Sequence, residues 1–261
     1  MFWISMRQYI MFRTTIVRSL AAMIAAVFLT GMTSSTLKNI DSQYFNANSI
    51  QEFVDLEKQI LKLTKSSPNE PELIWRLARN YFRIAKRTSD KKKKMRLFER
   101  CLETANRGIL IEETSAENIY HMGLCLGNIS VQKGIFSSLS NRDILKSSME
   151  KVIKINPNIE YAGPHRFLGV YYNALPFFLG GDSDKAIFHL ETAVTLAPHH
   201  ADNLFYLGKI YFDNGYYAKA KGTLGKFLEL ARTVKNDPDM PDQIKEGNDL
   251  INRLNSYQNN E

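Results

Sequence analysis

The chain of 261 residues is 44% apolar and 23% charged, with 14 glycines and 8 prolines, a composition that excludes collagen-like and low-complexity disordered proteins. Its length accommodates one extended domain or two compact ones. The formal net charge of +7 includes Arg7, Arg13 and Arg18 near the N-terminus, so the excess on the rest is too small to indicate a nucleic-acid partner.

Residues 1–34 have the pattern of an export signal. No acidic residue precedes Asp41, and a basic start is followed by an apolar run at residues 20–29 and then by small and polar residues. This order predicts a cleaved secretory signal peptide. The alternative is an uncleaved N-terminal membrane anchor, because no clean cleavage site follows the apolar run. Either interpretation predicts export to the periplasm or cell envelope.

The next two segments differ in composition. Residues 35–48 are rich in Ser, Thr and Asn, which predicts a linker. From Ser49 to Pro68, apolar residues recur mostly at steps of three and four, which predicts a helix. This helix is either the second half of an incomplete leading repeat or an N-terminal cap.

Two helix pairs are predicted between residues 71 and 157. Pro71 can open a helix at no cost, because the first helical N–H has no partner in any case. We interpret the run from Lys91 to Lys94 as a solvated turn between helices, with an anionic docking site as the alternative. A second pair is interrupted by a serine-rich connection at residues 137–141 and ends at Pro157, since helices rarely continue into the residue before a proline.

The clearest pattern in the chain has a period of 34 residues, from Ala186 to Ala220. This is the period of the tetratricopeptide repeat (TPR), a helix–turn–helix unit. Small residues such as Gly208 and Ala220 would let the two helices of a unit approach closely, and large apolar residues would fill the space between them. We therefore predict an all-α fold, a TPR-type α-solenoid of antiparallel helix hairpins with capping helices.

One turn of this pattern is longer than expected and apolar. The insertion at residues 175–182 places three large side chains, Phe177, Phe178 and Leu179, in a surface turn. We expect them to fold back over the neighbouring helices; the alternative is contact with a partner, a ligand or a membrane. Asp182 or Ser183 then caps the following helix.

The C-terminal part completes the predicted repeat domain, which covers residues 49–256. A polar helix at residues 242–255 with one apolar stripe would cover the end of the stack. Residues 257–261 are predicted to be a disordered tail.

The sequence contains no recognisable catalytic constellation. The five histidines do not combine with Cys or carboxylates at metal-ligand spacing, and no phosphate-binding or nucleophile motif is present. We therefore predict neither an enzyme nor a metal or cofactor site.

Cys101 and Cys125 fall on adjacent helices. Two ordinary buried thiols are the favoured interpretation, and a disulfide is the alternative if the protein is exported.

Binding is the function that the repeat pattern favours. The first helix of each TPR hairpin lines a concave groove, and fixed repeat positions point into it. Reading those positions here predicts a groove that is aromatic and aliphatic with three spaced cations, formed by Trp75, Arg79, Phe82, Tyr120, Leu124, Arg166, Val170, Asn173, Phe205, Lys209 and Phe212. Such a lining suits an extended apolar ligand or segment with an acidic end. The alternative is that some of these residues belong to the core.

Two stretches, LIWRLARNYF at residues 73–82 and the segment 163–212 with its LPFFLGGD turn, resemble the TRAP transporter T-component family. That resemblance implies an exported, non-enzymatic protein that works beside a periplasmic solute-binding protein. The Trp-Arg-Leu-Ala-Arg helix also resembles the microtubule-dynamics regulator family. From the T-component resemblance we expect an exported binding protein that holds a small hydrophobic ligand or a partner segment. The alternative is a general TPR scaffold for protein–protein interaction in the cell envelope.

Overall fold

The structure is a computed structural model that describes residues 34–235 and 237–258. The predicted signal peptide or anchor and the last three residues of the predicted tail lie outside the described residues. The chain divides into two compact units, residues 1–46 and residues 47–261. In the first unit the described residues 34–46 form a helix, α1, where we predict a linker. Its run of Leu37, Ile40 and Tyr44 has the three- and four-residue spacing of an apolar helix face.

The second unit consists of α-helices, one 3₁₀ turn and connecting loops, and its described residues contain no β-strand. This confirms the predicted all-α class. The helices are α2 (Ile50–Ser66), α3 (Pro71–Arg87), α4 (Lys91–Ile111), α5 (Ala116–Lys133), α6 (Ile135–Ser140), α7 (Arg142–Ile155), α8 (Ile159–Ala174), α9 (Ser183–Leu196), α10 (Ala201–Asp213), α11 (Tyr217–Ala231) and α12 (Met240–Gln258).

The helices pack as antiparallel hairpins in sequence order. The hairpins are α3 with α4, α5 with α7, α8 with α9, and α10 with α11, preceded by α2 and followed by α12. The first helices of consecutive hairpins also contact each other, α3 with α5, α5 with α8, and α8 with α10. This is the nearest-neighbour packing of a solenoid, in which each repeat buries its apolar side against the next.

Helix ends follow the local sequence rules. Pro71 occupies the first turn of α3, as predicted. Asp182 caps α9 by accepting a hydrogen bond from the backbone N–H of Lys185, which confirms the predicted cap. Ser49 and Glu52 form a reciprocal capping box at the start of α2. Helices α7 and α9 end just before Asn156-Pro157 and Ala197-Pro198, where the residue before proline disfavours helical geometry.

Small residues permit the close helix contacts inside the hairpins, as the repeat pattern predicts. A Cβ atom added to Gly208 would lie 2.7 Å from the Leu224 side chain, and one added to Gly169 would lie 2.5 Å from Leu190. Leu190 and Leu224 are completely buried. The core of each of these two hairpins therefore depends on a glycine facing a leucine.

Several local predictions differ from the structure. The lysines from Lys91 to Lys94 do not form a loop between two helices. They form the first helical turn of α4, which Asp90 caps. The serine-rich connection is largely the short helix α6. Helix α12 begins at Met240 and runs through Gln258, so two residues of the predicted disordered tail are helical. In each case a segment that composition predicts to be irregular is helical, as at the start of α4, where Asp90 supplies the cap.

Cys101 on α4 and Cys125 on α5 form a disulfide, which corrects the favoured interpretation of two thiols. The two helices pack antiparallel, and the Cα atoms are 6.1 Å apart, within the usual range for a bridge. Both residues are completely buried. The bridge joins the second helix of one hairpin to the first helix of the next, so it fixes the α4–α5 interface covalently.

Candidate functional site

The candidate site is the inner face of the repeat unit, which we define as the side formed by α3, α5, α8 and α10. The solenoid curls strongly enough for its ends to meet on this side. Arg83 and Lys86 on α3 form ion pairs with Asp237 and Asp239, which precede α12, at 3.7 and 2.7 Å. Residues from the first and last parts of the repeat unit therefore lie side by side at this face.

An aromatic and cationic platform occupies the α3 part of the inner face. The Arg76 guanidinium carbon lies 4.1 Å from the centre of the Trp75 ring, and that of Arg79 lies 4.8 Å away. Trp75 donates a hydrogen bond from Nε1 to Glu72, and its ring runs nearly parallel to that of His121 on α5. Trp75 stays partly exposed. The indole is thus held in one orientation by neighbours on two helices.

The first turn of α8 has an unusual backbone. Glu160, Tyr161 and Ala162 all have positive φ angles, from 46° to 61°, a left-handed conformation that costs roughly 1–2 kcal/mol per residue for non-glycine residues. We call these three residues the left-handed bend. The bend directs the Glu160 carboxylate toward Arg79, with 3.9 Å between the nearest charged atoms.

Two side chains hold the left-handed bend in place. Asn203, which is completely buried on α10, donates hydrogen bonds from Nδ2 to the carbonyl oxygens of Tyr161, Ala193 and Ala197. Arg166 donates to Asn203 Oδ1 at 2.7 Å and to the carbonyls of the bend at 3.3 and 3.4 Å. The bonds from Arg166 are charge-assisted, and together with those from Asn203 they compensate the backbone strain and connect α8, α9 and α10 at one point.

The histidines near this face are neutral. Burial lowers the pKa of His121 to about 4, although Glu160 and the bond to the Glu117 carbonyl act in the opposite direction. Burial, reinforced by Arg166, likewise lowers the pKa of His200 to about 4; its ring stacks on Tyr161 at 4.7 Å. With pKa values lowered in this way, both rings are mainly neutral near pH 7, and they pack as aromatic groups against Trp75 and Tyr161.

The structure separates the predicted groove residues into two sets. Six remain partly or fully exposed: Trp75, Phe82, Leu124, Arg166, Asn173 and Lys209. Val170 is also exposed. The others, Arg79, Tyr120, Phe205 and Phe212, are buried, which differs from the prediction that they line an open groove. They are part of the packed interior, as the alternative interpretation anticipated for some of the set.

Each of these buried residues has a physical reason for its position. Tyr120 fills the α5–α8 interface, where a Cβ on Gly163 would lie 2.2 Å from its hydroxyl oxygen. Phe205 packs on Phe227 of α11, and Phe212 lies beneath Arg253 of α12. Arg79 is covered by Trp75 and Glu160. Tyr120, Arg79 and Phe212 are thus covered by helices outside their own hairpins, and Phe205 is covered by the partner helix of its hairpin.

The cations predicted to bind an acidic ligand are engaged within the protein. Arg79 pairs with Glu160, Arg166 binds Asn203 and the left-handed bend, and Lys209 pairs with Glu246 of α12. A ligand carboxylate would have to compete with these internal partners. Sequence reasoning missed these partners because they come from other helices, and from other repeats in the case of Glu160 and Glu246.

The apolar surface turn at residues 177–179 is expected from the sequence to fold back over the neighbouring helices, but its two phenylalanines remain exposed. Phe177 and Phe178 lie on a 3₁₀ turn and are 91% and 82% exposed, while Leu179 is half-buried.

No group of three or more His, Cys, Asp or Glu residues within residues 34–235 and 237–258 is arranged to hold a metal ion. Among the helices of the described residues, none combines the length and the apolarity needed to cross a bilayer.

Comparison with known proteins decides between the two family resemblances. The family model described as regulator of microtubule dynamics protein 1-3 matches residues 36–173, more than half of the chain. The chain belongs to this family. The match includes α2 to α7 and most of α8, and with them the Trp75 platform and the left-handed bend. It confirms the resemblance carried by the Trp-Arg-Leu-Ala-Arg helix and not the one to the T-component family.

Individual relatives agree with the family assignment. Regulator of microtubule dynamics protein 1 of Bos taurus is 29% identical over 185 residues, covering 63% of this chain and 57% of the relative. The human protein of the same name is 28% identical over 155 residues, covering 52% and 48%. The chain therefore spans about half the length of these curated relatives.

A solved structure confirms the TPR architecture of this member of the regulator family. A thermophilic TPR protein from Thermus thermophilus superposes with a TM-score of 0.60 at 19% identity, covering 82% of this chain and 97% of that one. This likeness concerns the fold alone. Asn203, Lys209 and α12, which complete the inner face, lie beyond the part that the family model matches.

Proposed function

We propose that this protein is a non-enzymatic protein-interaction module whose inner face holds a segment of a partner protein, and that through this contact it takes part in regulating microtubule dynamics. Its family membership and the names of its relatives support the second half of the proposal. The TPR solenoid supports the first half, because stacked helix hairpins offer an extended concave surface for a partner.

The Trp75 platform is the observation that carries the proposal. A partly exposed tryptophan held between Arg76 and Arg79 and set against His121 is pre-organised, so binding would not have to order it. Tryptophan and arginine are also the residue types that contribute most at protein interfaces. Phe82 and Leu124 add partly exposed apolar surface on the same two helices.

The charges around the platform indicate the chemistry of the segment. Arg83 and Lys86 are partly exposed, with side-chain accessibilities of 31% and 28%, and each pairs with an aspartate of the 237–239 segment. Arg83 and Lys86 follow Trp75 by eight and eleven residues on α3, which is about 12 and 16 Å along the helix axis. A partner segment with an acidic residue four or five positions from an apolar one could exchange with these aspartates while its apolar side chain covers Trp75. We therefore propose a short extended segment with this spacing.

Tubulin polymerisation followed by turbidity tests this function with the purified protein. We expect the unsubstituted protein to change the rate or extent of assembly. The Trp75→Ala variant should lose at least about 2 kcal/mol of the binding free energy, as expected at a central aromatic contact. Phe188→Ala, at an aromatic residue 61% exposed on α9, is the matched control and should behave like the unsubstituted protein. Identical activity of Trp75→Ala and Phe188→Ala would refute the inner-face assignment, and no effect of any variant on assembly would refute the microtubule role.

A second candidate, an exported binding protein that holds a small hydrophobic ligand, is favoured by two observations. The buried Cys101–Cys125 disulfide is typical of proteins from oxidising compartments. The basic and apolar start of the chain points in the same direction. Edman sequencing of the protein isolated from its own cells, with alkylation of free thiols before lysis, tests this. An intact N-terminus with two alkylated cysteines would count against export.

A further inference from the structure

The loops that join the two helices of each hairpin all lie along one edge of the repeat unit, because the helices of consecutive antiparallel hairpins alternate in direction. We call this the turn edge. It contains the loops α3–α4, α5–α7, α8–α9 and α10–α11, and the inter-hairpin loops form the opposite edge. A depression of about 770 Å³ shows that neighbouring loops meet there, since it joins the start of α4 to Gln132 near the end of α5.

Aromatic side chains project from the turn edge. Phe177 and Phe178 are 91% and 82% exposed, and Tyr216 and Tyr217 at the next loop are each about half exposed. The two phenylalanines belong to a well-defined loop. The backbone N–H of Gly181 donates to the Pro176 carbonyl and that of Asp182 to the Tyr172 carbonyl, which holds the 3₁₀ turn in place. Two adjacent phenylalanines that a fixed turn holds exposed to water indicate a contact site for an apolar surface.

Cations accompany the aromatic rings. Lys91, Lys92, Lys94 and Arg96 line the depression together with Met95 and Gln132. Four lysines in the first turn of α4 oppose the helix dipole, which favours acids at that end, and no acid occupies this turn. Two acids of the turn edge are engaged in helix caps: Asp90 caps α4, and Asp182 caps α9 and pairs with Lys185 at 2.8 Å. Asp143, which lies 3.5 Å from Arg142, and Asp184 and Asp213 are exposed.

We propose that the turn edge docks on an anionic membrane surface, with Phe177 and Phe178 entering the interfacial region and the lysine-lined depression facing acidic headgroups. Protruding aromatic rings and a lysine cluster on the same edge are a combination that binds lipid interfaces, where apolar burial and attraction to anionic lipids add. A protein hot spot favours the opposite shape, a well-packed pocket sheltered by surrounding residues. The proposal does not depend on the function assigned to the inner face.

Fluorescence of the full-length protein on vesicles tests the insertion of the loop itself. Phe178→Trp places a reporter at the turn edge, and Leu110→Trp is the matched control, since Leu110 is 87% exposed near the end of α4 at the opposite edge. The vesicles contain phosphatidylserine and phosphatidylcholine with brominated acyl chains. The unsubstituted protein supplies the background from Trp3 and Trp75. This readout separates loop insertion from any attachment through the N-terminal segment, which all variants share.

We expect the emission of the Phe178→Trp protein to shift to shorter wavelength and to be quenched by the brominated chains, and that of the Leu110→Trp protein to remain unchanged. Neutralising Lys91, Lys92 and Lys94 to Gln should weaken the quenching half-point roughly fivefold per charge at low salt. The same changes at Lys62, Lys65 and Lys154, on the opposite edge, should have little effect. Phe177→Ser should weaken it about tenfold or more.

Three results would overturn the proposal. One is unchanged emission of the Phe178→Trp protein at saturating vesicle concentration. Another is equal quenching at both edges, or equal quenching on pure phosphatidylcholine at all salt concentrations. The third is that the reporter is shielded only when a protein partner is added, which would assign Phe177 and Phe178 to a protein interface instead.

Discussion

Removal of the Cys101–Cys125 disulfide should destabilise the repeat unit by an amount that follows from its position in the chain. The bridge closes a loop with a sequence separation of 24 residues. In the chain-entropy account such a loop contributes about 3.5 kcal/mol at 25 °C, because the cross-link restricts the unfolded chain. Double substitution to Ala is the cleaner perturbation, since a serine hydroxyl at either completely buried position would add a desolvation cost.

The assay is urea unfolding monitored by circular dichroism, with and without reductant. We expect a loss of about 3.5 kcal/mol for Cys101→Ala/Cys125→Ala, and a lower midpoint of the unsubstituted protein in reductant. The double variant is its own control, because reductant should no longer affect it. A loss below about 1 kcal/mol, or a midpoint of the unsubstituted protein that ignores reductant at full reduction, would refute the view that the bridge constrains the α4–α5 interface.

Two further predictions concern packing and pH. Gly208→Ala should destabilise the protein by about 1–3 kcal/mol, because the new methyl group would lie 2.7 Å from the Leu224 side chain. Gly222 is a helical glycine with open space around it, so Gly222→Ala should stabilise the protein by about 0.5–1 kcal/mol. Equal effects of the two changes in thermal melts would contradict the close-contact reasoning. Stability should also fall as the pH is lowered from about 6.5 toward 4: the pKa of His121 is lowered to about 4 in the folded protein, so the unfolded chain takes up the proton first. His121→Gln should flatten the pH dependence of the urea midpoint in that window, and an unchanged slope would show that His121 is not responsible.

Features set by neighbouring residues could be predicted from the sequence. Pro71 at the start of α3 and Asp182 at the start of α9 depend only on which backbone groups a helix end leaves without partners. The facing of Gly208 and Leu224 follows from the repeat period, which places the two positions in the same hairpin. These rules act within one repeat, so the residues of that repeat carry them.

Features that join different repeats could not be predicted in the same way. The pairs Arg83–Asp237 and Arg79–Glu160 depend on how strongly the solenoid curls, and the curl is a sum of small rotations that no single repeat determines. Tyr120 and Phe212 are buried by helices outside their own hairpins, whereas Phe205 packs on Phe227 of its own hairpin. Fixed repeat offsets predict which helices line the inner face, but they do not indicate which side chains stay uncovered once the helices pack.

The left-handed bend shows how one position can set both the curl and the site. The three residues 160–162 would be expensive in isolation, yet Asn203 and Arg166 bind their carbonyl groups and so make this backbone the favoured one. The same turn aims Glu160 at Arg79 beneath the Trp75 platform. The strain is therefore placed where it orients the inner face.

The inner face and the turn edge differ in their charge distribution, so the salt dependence of binding can distinguish their proposed roles. On the inner face, cations are matched by acids from other repeats, as in Lys86–Asp239 and Lys209–Glu246, so a partner there exchanges ion pairs and gains little from long-range attraction. At the turn edge, Lys91 to Lys94 and Arg96 stand together on one short stretch, and a uniformly charged cluster attracts an anionic surface over a distance that salt shortens. Binding that weakens steeply with salt therefore belongs to the turn edge, and binding that depends on Trp75 with little change in salt belongs to the inner face. One protein can then be titrated against lipid and against a protein partner in the same buffer series, and each surface is identified by how its affinity responds.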